Sequence, residues 1–122
     1  MSLKIQALNG ASAKGKLNEE WMVVANESDR PFNADGLSIT VAKGKARPRV
    51  FTTLKAGLII QPNEVVRLVS GSSGKKSHGE APEEEGIRNS FLFLKAAYLD
   101  RKGIKVRLTM RQHEVCSLIY EG

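Results

Sequence analysis

The 122-residue sequence contains one cysteine, and this scarcity excludes two kinds of architecture. With Cys116 alone, the chain can form neither an internal disulfide framework nor a zinc site built on several thiolates. The apolar run Val115–Ile119 surrounds Cys116 and offers no basic or helix-terminal setting that would activate a thiol. We therefore expect Cys116 to be a small, mostly apolar side chain in a strand.

Long apolar runs are missing as well. The longest, Trp21–Ala25, has the length of a strand and falls far short of the roughly 20 residues of a membrane-spanning helix. Polar residues interrupt the segment after Met1, so the sequence predicts neither a signal peptide nor a transmembrane segment. Residues 1–3 and 121–122 are typical of expression-vector scars. The chain is then expected to be an excised domain, and its compartment stays open.

The sequence is also poor in the patterns that support catalysis or metal binding. His78 and His113 are far apart and have none of the spacings of metal-ligand motifs. The run Glu83–Glu85 lies in a polar stretch, where a solvated segment is favoured over a weak calcium contact and over paired acid/base carboxyls. No nucleophile-elbow sequence occurs. We predict no catalytic residue, no metal site and no cofactor.

The residues that are present predict an all-β protein. Hydrophobic residues make up 41% of the chain and charged residues 26%, which is typical of one globular domain. Short runs with period-two alternation recur about every ten residues, a spacing that favours an antiparallel sandwich or a barrel. The predicted strands are Lys4–Leu8, Glu20–Asn26, Leu37–Val41, Arg47–Thr53, Leu58–Ile60, Val65–Ser70, Phe91–Phe93, Ala97–Asp100, Lys105–Met110 and Glu114–Tyr120. Because Trp21 opens the most apolar strand, we expect it to be buried between the two sheets.

One segment, Gly71–Gly86, has a composition unlike the rest. It contains Gly, Ser, Pro and charged residues but no apolar side chain larger than Ala, so it can contribute little to a core. We interpret it as a long, mobile polar loop between strands. Loops of this length in compact domains are either disordered or functional, and disorder is the favoured reading.

The part of the chain from Glu20 to Gly71 resembles the lamin tail domain. An acidic residue and an aromatic residue open an apolar strand that ends at Asn26. A polar turn then leads to Asp35-Gly36-Leu37, a second alternating strand and later a Pro62-Asn63 turn. Further along, Asp100–Gly103 is similar to a hairpin turn near the end of that domain. The resemblance implies an immunoglobulin-like β-sandwich that acts as a non-catalytic interaction or anchoring module. It identifies neither the protein partner nor the oligomeric state.

Four cations form the one notable constellation of side chains, which we call the basic stripe: Lys43, Lys45, Arg47 and Arg49. If the segment is extended, all four point to one side, about 6–7 Å apart. Lys105, Arg107 and Arg111 repeat the pattern later in a chain whose net charge is +6. The stripe predicts either an edge strand protected against aggregation, which Pro48 favours, or a candidate anion-binding site for nucleic acid or another polyanion. Binding to nucleic acid would be weak and independent of its sequence, because no predicted element is shaped to read base edges in a groove. The few aromatic residues offer no interleaved stacking positions for bases.

Overall fold

The computed structural model describes residues 3–11, 15–55, 57–72, 79, 83–100, 102–111 and 113–122. Within these residues the chain forms ten strands and one short 3₁₀ turn, Leu17–Glu19. The strands are β1 (Leu3–Asn9), β2 (Trp21–Asn26), β3 (Phe32–Asn33), β4 (Ser38–Ala42), β5 (Arg49–Thr53), β6 (Ile59–Ile60), β7 (Val65–Val69), β8 (Ile87–Phe91), β9 (Lys105–Met110) and β10 (His113–Ile119). The expected all-β, immunoglobulin-like sandwich is confirmed. No helix of the described residues is long and apolar enough to cross a membrane.

Two four-stranded sheets face each other. The first has the strand order β1-β2-β7-β8 and the second the order β10-β9-β4-β5, while β3 and β6 form a small separate pair. Neighbouring strands run antiparallel except β7 and β8, which are parallel. One side of the sandwich is closed because β1 contacts β10. On the other side, β5 and β8 are the outermost strands of their sheets.

The core follows from the alternation of side chains along the strands. On β4, Ile39 and Val41 are buried in the core, and on β9 Val106 and Leu108 are fully enclosed. Each side chain that points inward is followed by one that points outward, as the pleat of a strand requires. Thr40 and Thr109 lie on the outer face of the second sheet, where their hydroxyl oxygens are 3.2 Å apart. The polar outer face and the apolar inner face therefore fix which side of this sheet is buried.

The expected position of Trp21 is wrong. The inward positions of β2 belong to Met22 and Val24, which join the core, so Trp21 points to the outer face of the first sheet and is only half-buried. There the guanidinium of Arg67 lies 4.8 Å from the centre of the Trp21 ring, a cation–π contact. Since Arg67 itself is 3% exposed, the part of this outer face around its guanidinium is covered.

Two expected strands differ from those observed. The strand expected at Phe91–Phe93 lies earlier, at Ile87–Phe91, and residues 97–100 form no strand. Tyr98 is instead buried, and its backbone N–H donates to the carboxylate of Glu20, the residue before β2. The expected hairpin turn contains Arg101, which lies outside the described residues. Gly103, at the end of that turn, has a φ of 91° and precedes β9.

The polar segment 71–86 connects β7 with β8. Residues 73–78 and 80–82 lie outside the described residues, so the expected mobility stays a prediction. The described part contacts the first sheet and the 3₁₀ turn, and the Asn18 amide also donates to the Ser72 carbonyl at 3.0 Å. The carboxylate of Glu84 accepts a hydrogen bond from Arg67 at 3.1 Å, and the Gly79 carbonyl accepts one from the Asn18 amide at 3.0 Å. This segment therefore contributes to the covering of the outer face.

Candidate interaction groove and basic edge

The basic stripe does not form one extended segment, so the condition under which all four cations would point to one side is not met. Residues 43–46 make a tight turn, in which the N–H of Ala46 donates to the carbonyl of Lys43 at 2.9 Å. Gly44 allows the turn because its φ is 57°, a value that favours glycine. The Lys43 ammonium group forms an ion pair with Asp100 at 2.8 Å. Lys43 is thereby separated from the other cations of the stripe.

The remaining cations of the stripe lie at the exposed start of an edge strand. Arg49 is the first residue of β5, the outermost strand of the second sheet, so the expected edge position is confirmed. Lys45, Arg47 and Arg49 are exposed, and no described residue forms an ion pair with them. Three unpaired positive charges thus stand along the hairpin that leads into β5. Anion binding by this stripe stays a prediction.

The later cations follow the expected alternation in part. Lys105 and Arg107 are half-exposed on β9, whereas Val106 between them is buried. Arg107 forms an ion pair with Glu114 of the neighbouring strand at 3.3 Å. Arg111 lies in the turn before β10 with a φ of 51° and does not continue the row. The outer face of β9 therefore carries little free positive charge beyond Lys105.

A groove of about 640 Å³ lies on the open side of the sandwich, between the two edge strands. We call it the interaction groove. One wall is the end of β5 with the following residues, and the other is β8 with residues 92–94. Its lining includes the buried Leu54 and the half-buried Leu58, Leu92 and Leu94. The groove is thus lined by both apolar and polar side chains and lies between two strands from different sheets.

The charged residues that line the interaction groove are Lys55 and Arg88. Arg88 donates to both oxygens of Glu64, at 3.0 and 3.1 Å, and to the Ile59 carbonyl at 2.8 Å. The backbone N–H of Gln61 and the Arg88 guanidinium lower the pKa of Glu64, so this carboxylate stays ionised and balances Arg88. The exposed Lys55 gives the groove a positive rim, and no acidic side chain lines it among the described residues.

Phe93 stands at one end of the interaction groove in an unusual conformation. Its φ is 54°, in the left-handed region, and its side chain is 68% exposed. The backbone is held in place because Phe93 N–H donates to the Gly71 carbonyl at 3.0 Å, and Leu92 and Leu94 donate to Val69 and Ser70 at 2.8 Å. A non-glycine residue in this region costs on the order of 1–3 kcal/mol and is often associated with a functional site. The fold therefore holds a large apolar side chain in solvent beside the interaction groove.

Glu20, the acidic residue that precedes β2, stabilises the fold. Glu20 is fully buried, and its carboxylate accepts hydrogen bonds from Ser70 Oγ at 2.7 Å, from Tyr98 N–H at 3.2 Å and from Leu99 N–H at 3.0 Å. Burial raises the pKa of Glu20, and the hydrogen bonds oppose this rise only in part. Glu20 thus fastens residues 98–99 to the first sheet and is closed to any ligand.

Asn26 ends the same strand, and its side chain is also occupied by hydrogen bonds within the protein. Its buried amide donates to the carbonyls of Arg30 and Ile60 at 2.8 and 2.9 Å. Its side-chain oxygen accepts hydrogen bonds from the N–H and the hydroxyl of Ser28, at 3.1 and 2.8 Å. One side chain therefore forms hydrogen bonds with the backbone of the turn after β2 and joins this turn to β6. The two polar residues that frame β2 organise loops and leave no polar atom for a substrate.

The single thiol is also poorly suited to chemistry. Burial, the largest cause, raises the pKa of Cys116 to about 11. The thiol is therefore protonated at neutral pH, whereas the thiolate is the nucleophile and metal ligand. Among the described residues, no group of three His, Cys, Asp or Glu side chains comes together in the way that a metal site requires.

Neither the interaction groove nor the exposed position of Phe93 is predicted by the sequence. The groove joins residues 52–55, 57 and 58 with residues 88–94, and no local pattern links two segments so distant in the chain. One signal was available in the run Phe91–Leu94, which has four apolar residues in succession. A strand with one buried face can enclose only alternate residues of such a run.

No protein-family model matches the chain, and no curated protein sequence matches it significantly.

Proposed function

We propose that this protein is a non-catalytic protein-interaction or anchoring module that resembles the lamin tail domain. The observation that carries the proposal is the interaction groove, which places several leucine side chains, two strand edges and the outward-held Phe93 on one side of the sandwich. Exposed strand edges and apolar grooves are the features that bind extended peptides.

The perturbed ionisable groups support a binding role over an enzymatic one. Catalytic groups combine a shifted pKa with access to substrate. Here Glu20 is fully buried and satisfied by donors of the protein itself, and the Cys116 thiol is protonated at neutral pH. The groups with shifted pKa values therefore hold the fold together.

The proposal is tested by selecting peptides from a random displayed library on the immobilised protein. We expect enriched peptides whose affinity falls at least tenfold in Phe93→Ser. The matched control is Ile119→Ser, because Ile119 is also a large exposed apolar residue, 47% exposed, and lies on β10 away from the groove. Failure to enrich any peptide would refute the proposal, as would enriched peptides that bind both variants equally.

A second candidate function, weak polyanion binding, is favoured by the three unpaired cations Lys45, Arg47 and Arg49. If they neutralise three phosphates of duplex DNA, counterion release gives a slope of log K against log salt of about −2.7. Replacing all three by Ser should then abolish binding. If the stripe serves only as edge protection, the wild type should bind little DNA and the triple variant should aggregate with rising concentration, as light scattering would show.

A further inference from the structure

We infer that β5 is the acceptor edge for an extended acidic peptide, which pairs with this strand and places an apolar residue in the interaction groove beside Phe93. This inference rests on the proposed interaction function and specifies its partner. The basic stripe then becomes part of the same binding surface as the groove, because both adjoin β5 at opposite ends.

Of the two edges at the groove, β5 is the more accessible one. At β8, the Arg88 side chain reaches across to the Ile59 carbonyl and is held there by Glu64. At β5, Thr52 and Thr53 line the groove, and no further strand follows in the sheet order. The unpaired backbone groups of such an edge are a ready template for another strand.

The path along β5 has a charged end and an apolar end. The strand β5, Arg49–Thr53, spans about 13 Å, so about five residues of a peptide can pair with it, and the residues on either side can approach Arg47 and Leu54. Near the start it would lie close to Arg47 and Arg49, whose charges no described residue balances. Near the finish it would reach the leucine side chains that line the groove and the exposed Lys55.

The charge of this surface selects the occupant. Carboxylates of a peptide would be attracted to the cations at both ends of β5, and such complementarity governs specificity and association rate. A second copy of this chain, with a net charge of +6, would bring the same cations against this edge and be repelled. The acidic peptide is therefore favoured over self-pairing through β5.

Phe93 supplies the apolar anchor. Its left-handed backbone, held by the Gly71 carbonyl, keeps 68% of its side chain exposed next to the leucines of the groove. Large aromatic side chains at such positions contribute most of the binding energy of many interfaces. An apolar residue of the peptide would cover the exposed ring and the adjoining groove wall.

Binding is measured by calorimetry and by amide chemical shifts, with defined ten-residue peptides. The acidic probe carries alternating Asp in one half and alternating Leu in the other, and its matched control has Lys in place of every Asp. Each peptide is synthesised in two versions, one with the charged half first and one with the Leu half first, because the peptide can run parallel or antiparallel to β5. We expect the acidic probe to bind at least tenfold more tightly than the Lys control, with shifts at Arg49–Thr53 and around the groove. N-methylation of every second backbone amide of the acidic probe, in the set that faces β5, should abolish binding.

Variants locate the contacts and separate the two proposals. Arg47→Ser/Arg49→Ser should weaken the acidic probe at least tenfold, while Lys4→Ser/Arg30→Ser, which removes the same charge elsewhere, should not. If the Lys control peptide binds the groove as tightly as the acidic probe, the acidic partner is refuted and the interaction module survives. If both probes fail and library selection enriches no groove-binding peptide, both proposals fall. Binding of duplex DNA at β5 without binding of the acidic probe also overturns the inference.

Discussion

Glu20 provides the sharpest test of how this sandwich is held together. Its carboxylate is the acceptor for three buried donors, Ser70 Oγ, Tyr98 N–H and Leu99 N–H. Glu20→Gln keeps the shape of the side chain but replaces one acceptor oxygen by an amide donor. The amide group can turn toward Ser70 Oγ, which is able to accept, while the remaining oxygen still accepts from Tyr98 N–H and Leu99 N–H. The variant therefore exchanges charge-assisted hydrogen bonds for weaker neutral ones, at a cost of about 1 kcal/mol. We expect a loss of that size in the free energy of unfolding.

The measurement is urea unfolding at pH 7, followed by circular dichroism. The matched control is Glu27→Gln, since Glu27 is exposed one residue beyond β2 and its removal should change stability by less than about 0.5 kcal/mol. Equal unfolding midpoints for the two variants would show that Glu20 does not hold residues 98–99 in place.

Acidification gives an independent check on Glu20. Its folded-state pKa is raised by burial above the ordinary value of 4.5, so the folded state binds the proton more tightly than the unfolded state. The wild type therefore gains stability as the pH falls from the folded pKa toward 4.5, and Glu20→Gln lacks this gain. The stability gap between them should widen over that range. A stability gap that narrows as the pH falls would show that the pKa of Glu20 is not raised in the folded protein.

Three further predictions concern other side chains. Trp21 should fluoresce at a wavelength between those of buried and free indole, because it is half-buried beside Arg67; fully buried emission would contradict its outer-face position. Since the Gln61 N–H and Arg88 lower the pKa of Glu64, its contribution to stability is present above pH 4.5 and lost as the pH falls through the lowered pKa. The stability difference between wild type and Glu64→Gln should shrink from pH 7 to acid pH. With a pKa of about 11, Cys116 should react with a maleimide much more slowly at pH 7 in the native protein than in urea.

Much of the fold could be predicted because alternation on the second sheet is clear. Its outer face is polar, so the apolar residues of β4 and β9 point one way only. On β2 the pattern fails, because Val23 and Ala25 on the outer face are also buried. The 3₁₀ turn Leu17–Glu19 contacts neighbouring β7 and helps to cover this face. A strand buried on both faces carries no signal that says which way its tryptophan points.

The strand β8 escaped prediction for a different reason. Its sequence, Ile-Arg-Asn-Ser-Phe, does not alternate as a strand with one apolar face would. Its polar residues are accommodated by specific partners, since Arg88 contacts Glu64 and the side chain of Asn89 accepts from Arg67 at 3.3 Å. Such pairings exist only after the sheet is assembled. The groove, which depends on β8, could not be found before the strand itself.

The basic stripe shows how one residue changes a local pattern. The alternation from Lys43 to Arg49 fits an extended strand, yet Gly44 adopts a left-handed conformation and closes a turn. The ion pair of Lys43 with Asp100 then depends on a residue far away in the chain. Composition identified the cations, whereas the division of the stripe required the tertiary structure.

The contact of β1 with β10 has a consequence for how the protein matures on the ribosome. The first strand of the fold finds its neighbour on the closed side only when the last strand is available. Contacts between such distant segments close slowly, and they leave partly built sheets exposed during synthesis at about 5–20 residues per second. Until β10 emerges, the apolar inner face of β1 lacks that cover. Nascent chains that stall before β10 should therefore depend most on chaperones.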